Sequence, residues 1–370
     1  MKFTCSKTVL TEALQTVQLA VSNKSTIPAL SNFLMETNKE KDFVKLSATD
    51  LEIGIRCHME SKIAQEGAIS IPAKKLLEIV RELPDMDITL SSSEANRVTI
   101  SCGKSVFRII GIPKEEFPIL PDVKDTKNLS LPATIIKEMI AKTSFAMSTD
   151  ETRYVLNGIL LEVTEKEVKM VATDGRRLAY ISKENVGGKI APASIIMPSK
   201  AITGVLHLLE TTKSDKVDIN IGSNQIAFIC GDTLFISRLI EGEFPNYDQV
   251  IPKKPSTKVK VNTKNILQVT RRMSVLVTEQ SIPMKFTFGK KLLKLMVTSP
   301  NIGDAEDEID IEYDGEIIEI AFNPAFVLAV LKEVTAEEVV FELSGALTPG
   351  VLRPADDNNY VCVVMPMRLQ

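Results

Sequence analysis

Asp174, followed by Gly175, Arg176 and Arg177, is the densest group of residues capable of chemistry in this 370-residue chain. A carboxylate beside two guanidinium groups could serve as a general acid or base with an anion clamp for a phosphorylated substrate. Such a site needs a nucleophile, a metal-ligand set or a second acid–base group at a motif spacing, and none stands near it. His58 and His207 are the only histidines, which leaves little imidazole for proton transfer or zinc. Cys5, Cys57, Cys102, Cys230 and Cys362 are scattered without a C-x-x-C pair, so they read as reduced thiols rather than disulfides or a zinc site. No catalytic residue, metal or cofactor is expected.

Two partial motifs also fail on their own chemistry. Cys102-Gly103-Lys104-Ser105 resembles the end of a phosphate-binding loop, but Val98 stands where that loop needs its first glycine. Asp310-Ile311-Glu312-Tyr313-Asp314-Gly315 begins like a calcium loop, yet its twelfth position is Ala321 instead of a bidentate carboxylate. The alternation of Ile309, Ile311 and Tyr313 makes it an acidic-faced strand.

The elements around Asp174 explain it better. Glu167-Val168-Lys169-Met170-Val171 alternates polar and apolar residues, Asp174-Gly175 is a turn signal, and Leu178, Tyr180 and Ser182 resume the alternation, which predicts a β-hairpin. A fainter copy, Ala48-Thr49-Asp50-Leu51-Glu52, lies 124 residues earlier. Pro72, Pro198 and Pro324 are 126 residues apart, and each precedes apolar residues at helical spacing. Glu116-Phe117-Pro118 recurs as Glu243-Phe244-Pro245, 127 residues on.

These landmarks predict three repeats, with boundaries near Asp122–Asn128 and Lys253–Thr257, giving domains 1–125, 126–253 and 254–370. Each repeat reads as α+β, two helices on antiparallel strands. First helices are expected at Val9–Val21, Ala133–Thr143 and Lys264–Met273, and strands at Lys216–Ile221, Gln225–Cys230 and Thr233–Leu239. Three copies suggest a curved array with sheets joined edge to edge, which protects strand edges. His207, among Leu206, Leu208 and Leu209, is expected to be a partly buried structural residue.

The chain carries 48 acids against 44 bases, a net charge of −4, which argues against a surface that grips nucleic acid everywhere. The helices carry Lys74, Lys75, Arg81, Lys137, Lys142, Lys200, Lys264, Arg271, Arg272 and Lys332, whereas acids cluster at Asp304–Glu316. Helices sharing one wall would make that wall mildly basic. The N-terminus has no apolar signal region and no run of about 18 apolar residues occurs, so a cytoplasmic, non-membrane protein is expected.

Ala172–Ala179, the terminal Val363-Val364-Met365-Pro366-Met367-Arg368-Leu369 and the segment Phe244-Pro245-Asn246-Tyr247, set in three repeats, resemble the bacterial DNA polymerase III beta subunit, the sliding-clamp family. The resemblance implies the DNA clamp fold, a head-to-tail homodimer closed as a ring around duplex DNA, and no catalysis. It implies a clamp loader, the replicative polymerase alpha subunit and other clamp-binding-motif proteins as partners. It assigns a partner-peptide pocket to Leu156, Thr173, Gly175, Arg176, Arg177, Leu178, Pro245, Val250, Val363, Val364, Met365, Pro366, Met367, Arg368 and Leu369. DNA contacts fall on Lys24, Lys74, Lys104, Arg153, Tyr154 and Lys200, and ring closure on Phe107 and Ile109 against Val275 and Leu276. Asp150-Glu151, Arg176 and Gln249 depart from the family pattern and change the charge around these sites. A specialised copy of the clamp, conferring resistance to a clamp-directed antibiotic, would show the same ring with different pocket affinity.

Overall fold

The computed structural model describes residues 1–22, 25–120, 123, 126–278 and 282–368. Among the described residues six α-helices occur, two to a repeat: α1 (Lys7–Gln18) and α2 (Ala73–Glu82), α3 (Ala133–Ser144) and α4 (Ser199–Thr211), α5 (Thr263–Met273) and α6 (Pro324–Glu333). The helix starts are chemically marked. Ser6 caps α1 by accepting from Val9 N at 3.3 Å, Asn262 caps α5 from Asn265 N at 3.0 Å, and Asn323 caps α6 from Ala325 N at 2.9 Å.

The cap at Ser6 moves the start of α1 two residues ahead of the expected Val9, because its first turn is polar Lys7-Thr8 and carries no apolar period. At the other end the expected Val21 is replaced by Gln18, with Leu19 as the C-cap. The recurrent prolines also differ in role. Pro324 occupies the first turn of α6, whereas Pro72 and Pro198 close the strand before α2 and α4. The strands Lys216–Ile221 and Gln225–Cys230 form where alternation places them, and the third ends at Arg238.

The chain divides into two units. Unit 1 holds residues 1–134, 186–191 and 200–239, and unit 2 holds 135–185, 192–199 and 240–370. Both units cut through the central repeat, because each is built on a sheet that crosses a repeat boundary. In unit 1 the eight-stranded sheet runs Lys127–Pro132, Lys216–Ile221, Gln225–Cys230, Thr233–Arg238, then Ile53–Glu60, Phe43–Thr49, Asn32–Asn38 and Ala68–Pro72. Its joint pairs Thr233–Arg238 antiparallel with Ile53–Glu60, Ile236 opposite Gly54. A five-stranded sheet completes the unit, ending on the edge strand Ser105–Ile110.

Unit 2 repeats the design. Its eight-stranded sheet runs Ala193–Pro198, Gly158–Val163, Glu167–Thr173, Arg177–Glu184, then Tyr360–Val364, Gly350–Pro354, Glu338–Leu343 and Thr257–Asn262. The joint pairs Arg177–Glu184 with Tyr360–Val364, Leu178 opposite Val363. A four-stranded sheet ends on the acidic strand Gly303–Asp310. The predicted edge-to-edge joining thus occurs within each unit, where main-chain hydrogen bonds leave no open edge at the joint.

Helices cover these sheets. α1 packs on α2 and on the Ile53–Glu60 strand in unit 1, and α5 packs on α6 in unit 2. Leu10, Leu14 and Val17 of α1 and Leu76 and Val80 of α2 are completely buried, each contributing about 2 kcal/mol of apolar burial. His207 is half-buried on α4, where its Nε2 lies 3.1 Å from the Gln15 carbonyl of α1. All five cysteines are buried, and burial pushes the Cys5, Cys57 and Cys362 thiols up to about 12. Among the described residues, no helix is long and apolar enough to cross a membrane.

Candidate functional site: a cleft at the second joint

The hairpin turn after Thr173 is held by its own side chains. Thr173 Oγ1 donates to the Arg177 carbonyl at 2.6 Å and accepts from Gly175 N at 3.1 Å. Asp174 Oδ1 accepts from Arg176 N at 2.9 Å and Arg177 N at 3.0 Å, while Oδ2 accepts from Arg177 Nε at 3.0 Å. Gly175 takes a φ of 83°, the left-handed conformation that costs glycine least. Both carboxylate oxygens of Asp174 are therefore committed to the turn, and the residue is a turn former. Arg177 is committed as well, its guanidinium lying 4.5 Å from the centre of the Phe326 ring and 5.7 Å from that of Phe145.

The C-terminal strand closes on this turn. Beyond the pairing of Arg177 with Val364 and Leu178 with Val363, Met365 N donates to the Arg176 carbonyl at 2.9 Å. Leu160, Val171, Leu178, Ile196, Val351, Val361 and Val363 form the buried floor, with Val155, Tyr180, Phe244 and Tyr247 packed against it. Tyr247 donates to Glu162 Oε2 at 2.7 Å and sits 5.9 Å from the Tyr180 ring. Burial first, then the bond to Glu162, pushes its hydroxyl far above the ordinary tyrosine range, so it stays a neutral donor.

These walls enclose a cavity of about 130 Å³, lined by Leu156, Thr173, Gly175, Arg176, Arg177, Leu178, Pro245, Asn246, Tyr247, Val250, Val363 and Met365. Ten of the expected pocket residues converge here. Val364 does not line the cavity: strand alternation turns it from the face that Val363 presents, and it is fully buried. Pro366, Met367 and Arg368 do not line it either, because Met367 N donates to the Ala321 carbonyl at 2.8 Å and draws the chain onto the strand Ile318–Phe322. Leu369 lies outside the described residues. Asn246 and Tyr247, part of the Phe244-Pro245-Asn246-Tyr247 segment that carries the resemblance but not assigned to the pocket, also line the cavity.

The residues expected at DNA divide between the units. Lys74, Lys104 and Lys200 are exposed in unit 1, and Arg153 and Tyr154 are exposed in unit 2; Lys24 lies outside the described residues. Two of them already have partners. Lys200 Nζ bonds Glu52 Oε2 at 2.9 Å and contacts Asp50. Arg153 Nη1 donates to the Asp174 carbonyl at 3.3 Å, so it braces the cleft turn. Phe107 and Ile109 belong to the exposed edge strand Ser105–Ile110, Val275 is 78% exposed, and Leu276 is half-buried.

Family models of the DNA polymerase III beta subunit match in three consecutive pieces, the N-terminal domain over residues 1–121, the central domain over 130–246 and the C-terminal domain over 248–368. The chain belongs to the DNA polymerase III beta subunit family. It has that family's three clamp domains, and its function is that of a sliding clamp, a non-catalytic factor for processive DNA replication. The beta sliding clamp of Chlamydia pneumoniae is 34% identical over 369 residues, covering 100% of this chain and 99% of the relative. Among solved structures, the Bacillus subtilis sliding clamp superimposes with a TM-score of 0.94 at 30% identity, and the coverage of both chains is 100%. A Pseudomonas aeruginosa sliding clamp bound to griselimycin gives 0.94 at 32% identity, again with 100% coverage of both.

Proposed function

We propose that the second-joint cleft is the dock through which this clamp captures replication and repair proteins. The observation that carries the reading is the apolar cavity whose rim is a self-bonded turn on one side and the zipped C-terminal strand on the other. A rigid rim loses little entropy on binding, and Met365 adapts to varied apolar side chains. The occupant is a short extended segment of the type Gln-x-x-Leu-x-Leu/Phe, carried by the polymerase alpha subunit, the clamp loader and other clamp-binding proteins. Burying its leucine and phenylalanine contributes roughly 3–6 kcal/mol. Micromolar binding requires about 8 kcal/mol, so main-chain hydrogen bonds supply the remainder. Docking is then exchangeable, and two clefts per dimer raise the effective affinity.

The same reading makes the protein a head-to-tail homodimer of domains 1–125, 126–253 and 254–370 that encircles duplex DNA in the cytoplasm. The edge strand Ser105–Ile110, with Phe107 and Ile109, supplies one half of the contact, and Val275 and Leu276 the other. An exposed apolar edge strand is a ready template for pairing with a second chain. Lys24, Lys74, Lys104, Arg153, Tyr154 and Lys200 would touch phosphates only, which holds DNA without fixing a register. Two unit charges about 10 Å apart in water interact by only ~0.4 kcal/mol, weak enough to permit sliding.

Titration of a fluorescent Gln-x-x-Leu-x-Leu peptide against the full chain tests the dock. Saturable micromolar binding that Leu178→Asp abolishes supports it, and binding indifferent to Leu178→Asp refutes it. Light scattering tests the ring: Phe107→Asp is expected to convert a dimer to a monomer, and a wild-type chain monomeric at micromolar concentration rules the ring out.

A further inference from the structure

The turn Thr49–Ile53 in unit 1 repeats the bonds that the cleft turn makes to its main chain, with Lys200 on Asp50 where Arg177 Nε holds Asp174. Thr49 Oγ1 donates to the Ile53 carbonyl at 2.7 Å and accepts from Leu51 N at 3.0 Å. Asp50 Oδ1 accepts from Glu52 N at 3.0 Å and Ile53 N at 2.9 Å. Leu51 takes a φ of 77°, close to the 83° of Gly175. Arg238 N donates to the Glu52 carbonyl at 2.9 Å, as Met365 N does to Arg176. Pro118 of the repeated Glu-Phe-Pro landmark stands where Pro245 stands at the second joint. The shared scaffold again leaves a cavity, here of about 80 Å³, between Thr49, Leu51–Gly54, Pro118–Leu120, Gln225, Ile236 and Arg238.

Five replacements give this first-joint cavity its own chemistry. Gly54 takes the place of Leu178, and Leu120, 7% exposed, fills the space instead: a β-carbon on Gly54 would lie 2.3 Å from Leu120 Cδ2. At the mouth, Ile119, 95% exposed, and Leu51, 45% exposed, replace Asn246 and Gly175. At the lip the exposed Arg238 replaces Met365, and Glu52, drawn to Lys200 at 2.9 Å, replaces Arg176. A water takes up about 30 Å³ of liquid, so a cavity of about 80 Å³ has room for one branched aliphatic side chain.

We propose that the first-joint cleft is a second docking site, which takes one aliphatic side chain of an extended peptide with a neighbouring acidic residue paired to Arg238. The proposal rests on the reading of the second-joint cleft as a peptide dock, whose architecture it copies. Charge complementarity selects the occupant: an acid meets Arg238, whereas a basic neighbour meets only Glu52, which already has Lys200. Binding is weaker than at the larger cleft and survives its blockade.

Methyl-resolved NMR of the full chain tests this with two probes, acetyl-Gly-Leu-Asp-Gly amide and acetyl-Gly-Leu-Lys-Gly amide, at millimolar concentration. The Leu-Asp probe is expected to shift the Ile119, Leu51 and Ile236 methyls in wild type and in Leu178→Asp. It should bind up to about fivefold tighter than the Leu-Lys probe, the ratio an exposed ion pair of ~1 kcal/mol supplies. Ile119→Asp, a change at a fully solvated position, should remove the Leu51 and Ile236 shifts, and Arg238→Glu should reverse the preference. Shifts confined to Leu178 and Val363, or equal response to both probes in wild type and Arg238→Glu, overturn the proposal. The Gln-x-x-Leu-x-Leu peptide separates the two readings: if it moves Leu178 and Val363 while the Leu-Asp probe leaves Ile119 still, only the second site fails. If neither peptide moves any cleft methyl, both readings fail.

Discussion

Replacing Asp174 separates a turn former from a catalyst and from a simple rim charge. Asp174→Ala removes two hydrogen bonds to main-chain N–H groups and one to Arg177 Nε. Water reaches the exposed turn, so each main-chain bond is worth about 1 kcal/mol net. The bond to Arg177, whose side chain is 17% exposed, contributes about 1–2 kcal/mol more after discounting for solvent, since the guanidinium keeps its place over Phe326. The expected loss in unfolding free energy is about 3–4 kcal/mol for the transition of the unit that holds the turn, read by urea denaturation. Asp174→Asn keeps an acceptor for both N–H groups and loses only the bond to Arg177, so about 1–2 kcal/mol is expected.

Peptide affinity should follow the same order. A loosened turn must be fixed again on binding, and ordering Gly175 and Arg176 costs about 1–2 kcal/mol per residue. Asp174→Ala is therefore expected to weaken the Gln-x-x-Leu-x-Leu peptide by at least about 30-fold. Asp174→Asn should weaken it by less than tenfold, and Asp50→Ala in the other unit should leave it unchanged. Fluorescence anisotropy gives the three affinities. Asp174→Ala indistinguishable from wild type in both assays, or Asp174→Asn as damaging as Asp174→Ala, would refute the assignment.

Tyr247→Phe deletes the donor to Glu162 and should cost about 1 kcal/mol in stability with a less than tenfold change in peptide affinity, because the ring that lines the cleft is kept. Glu342 is buried; burial raises its carboxyl, but the bonds to Lys258 at 2.8 Å and Arg353 at 3.1 Å outweigh that and hold it below the usual carboxylate value of 4.5. A depressed folded-state value stabilises above the unfolded value and is lost as pH falls through the folded one, so wild type should lose stability below about pH 4.5 more steeply than Glu342→Gln in parallel urea titrations. Native alkylation by iodoacetamide at neutral pH should leave all five thiols unmodified for hours, since they are buried and Cys5, Cys57 and Cys362 are pushed up to about 12; rapid labelling counted by mass spectrometry would contradict this.

The repeats were legible from sequence because their marks are local. A proline closing a strand, a threonine and aspartate fixing a turn and an alternating run each act within a few residues, so Thr49-Asp50 and Thr173-Asp174 announce the same bonded turn without tertiary information. Asn246 and Tyr247 stood in the resemblance segment without being assigned to the cleft, because the bond from Tyr247 to Glu162 spans 85 residues and no local pattern announces it.

Partnership was not legible. Lys200 and Arg153 look like any exposed basic residues, yet one is tied to Glu52 across 148 residues and the other to Asp174 across 21. The sequence by itself determined the period, the helices, most strand alternation and the chemistry of each turn, because propensity, capping and side-chain period are properties of short stretches. Only the tertiary structure decided that the central repeat would be divided between two units, and that one turn would open a cleft of about 130 Å³ where its copy, filled by Leu120 at Gly54, leaves about 80 Å³. Strand-edge pairing and cavity volume depend on which distant residues arrive beside one another, and that is set by the whole chain at once.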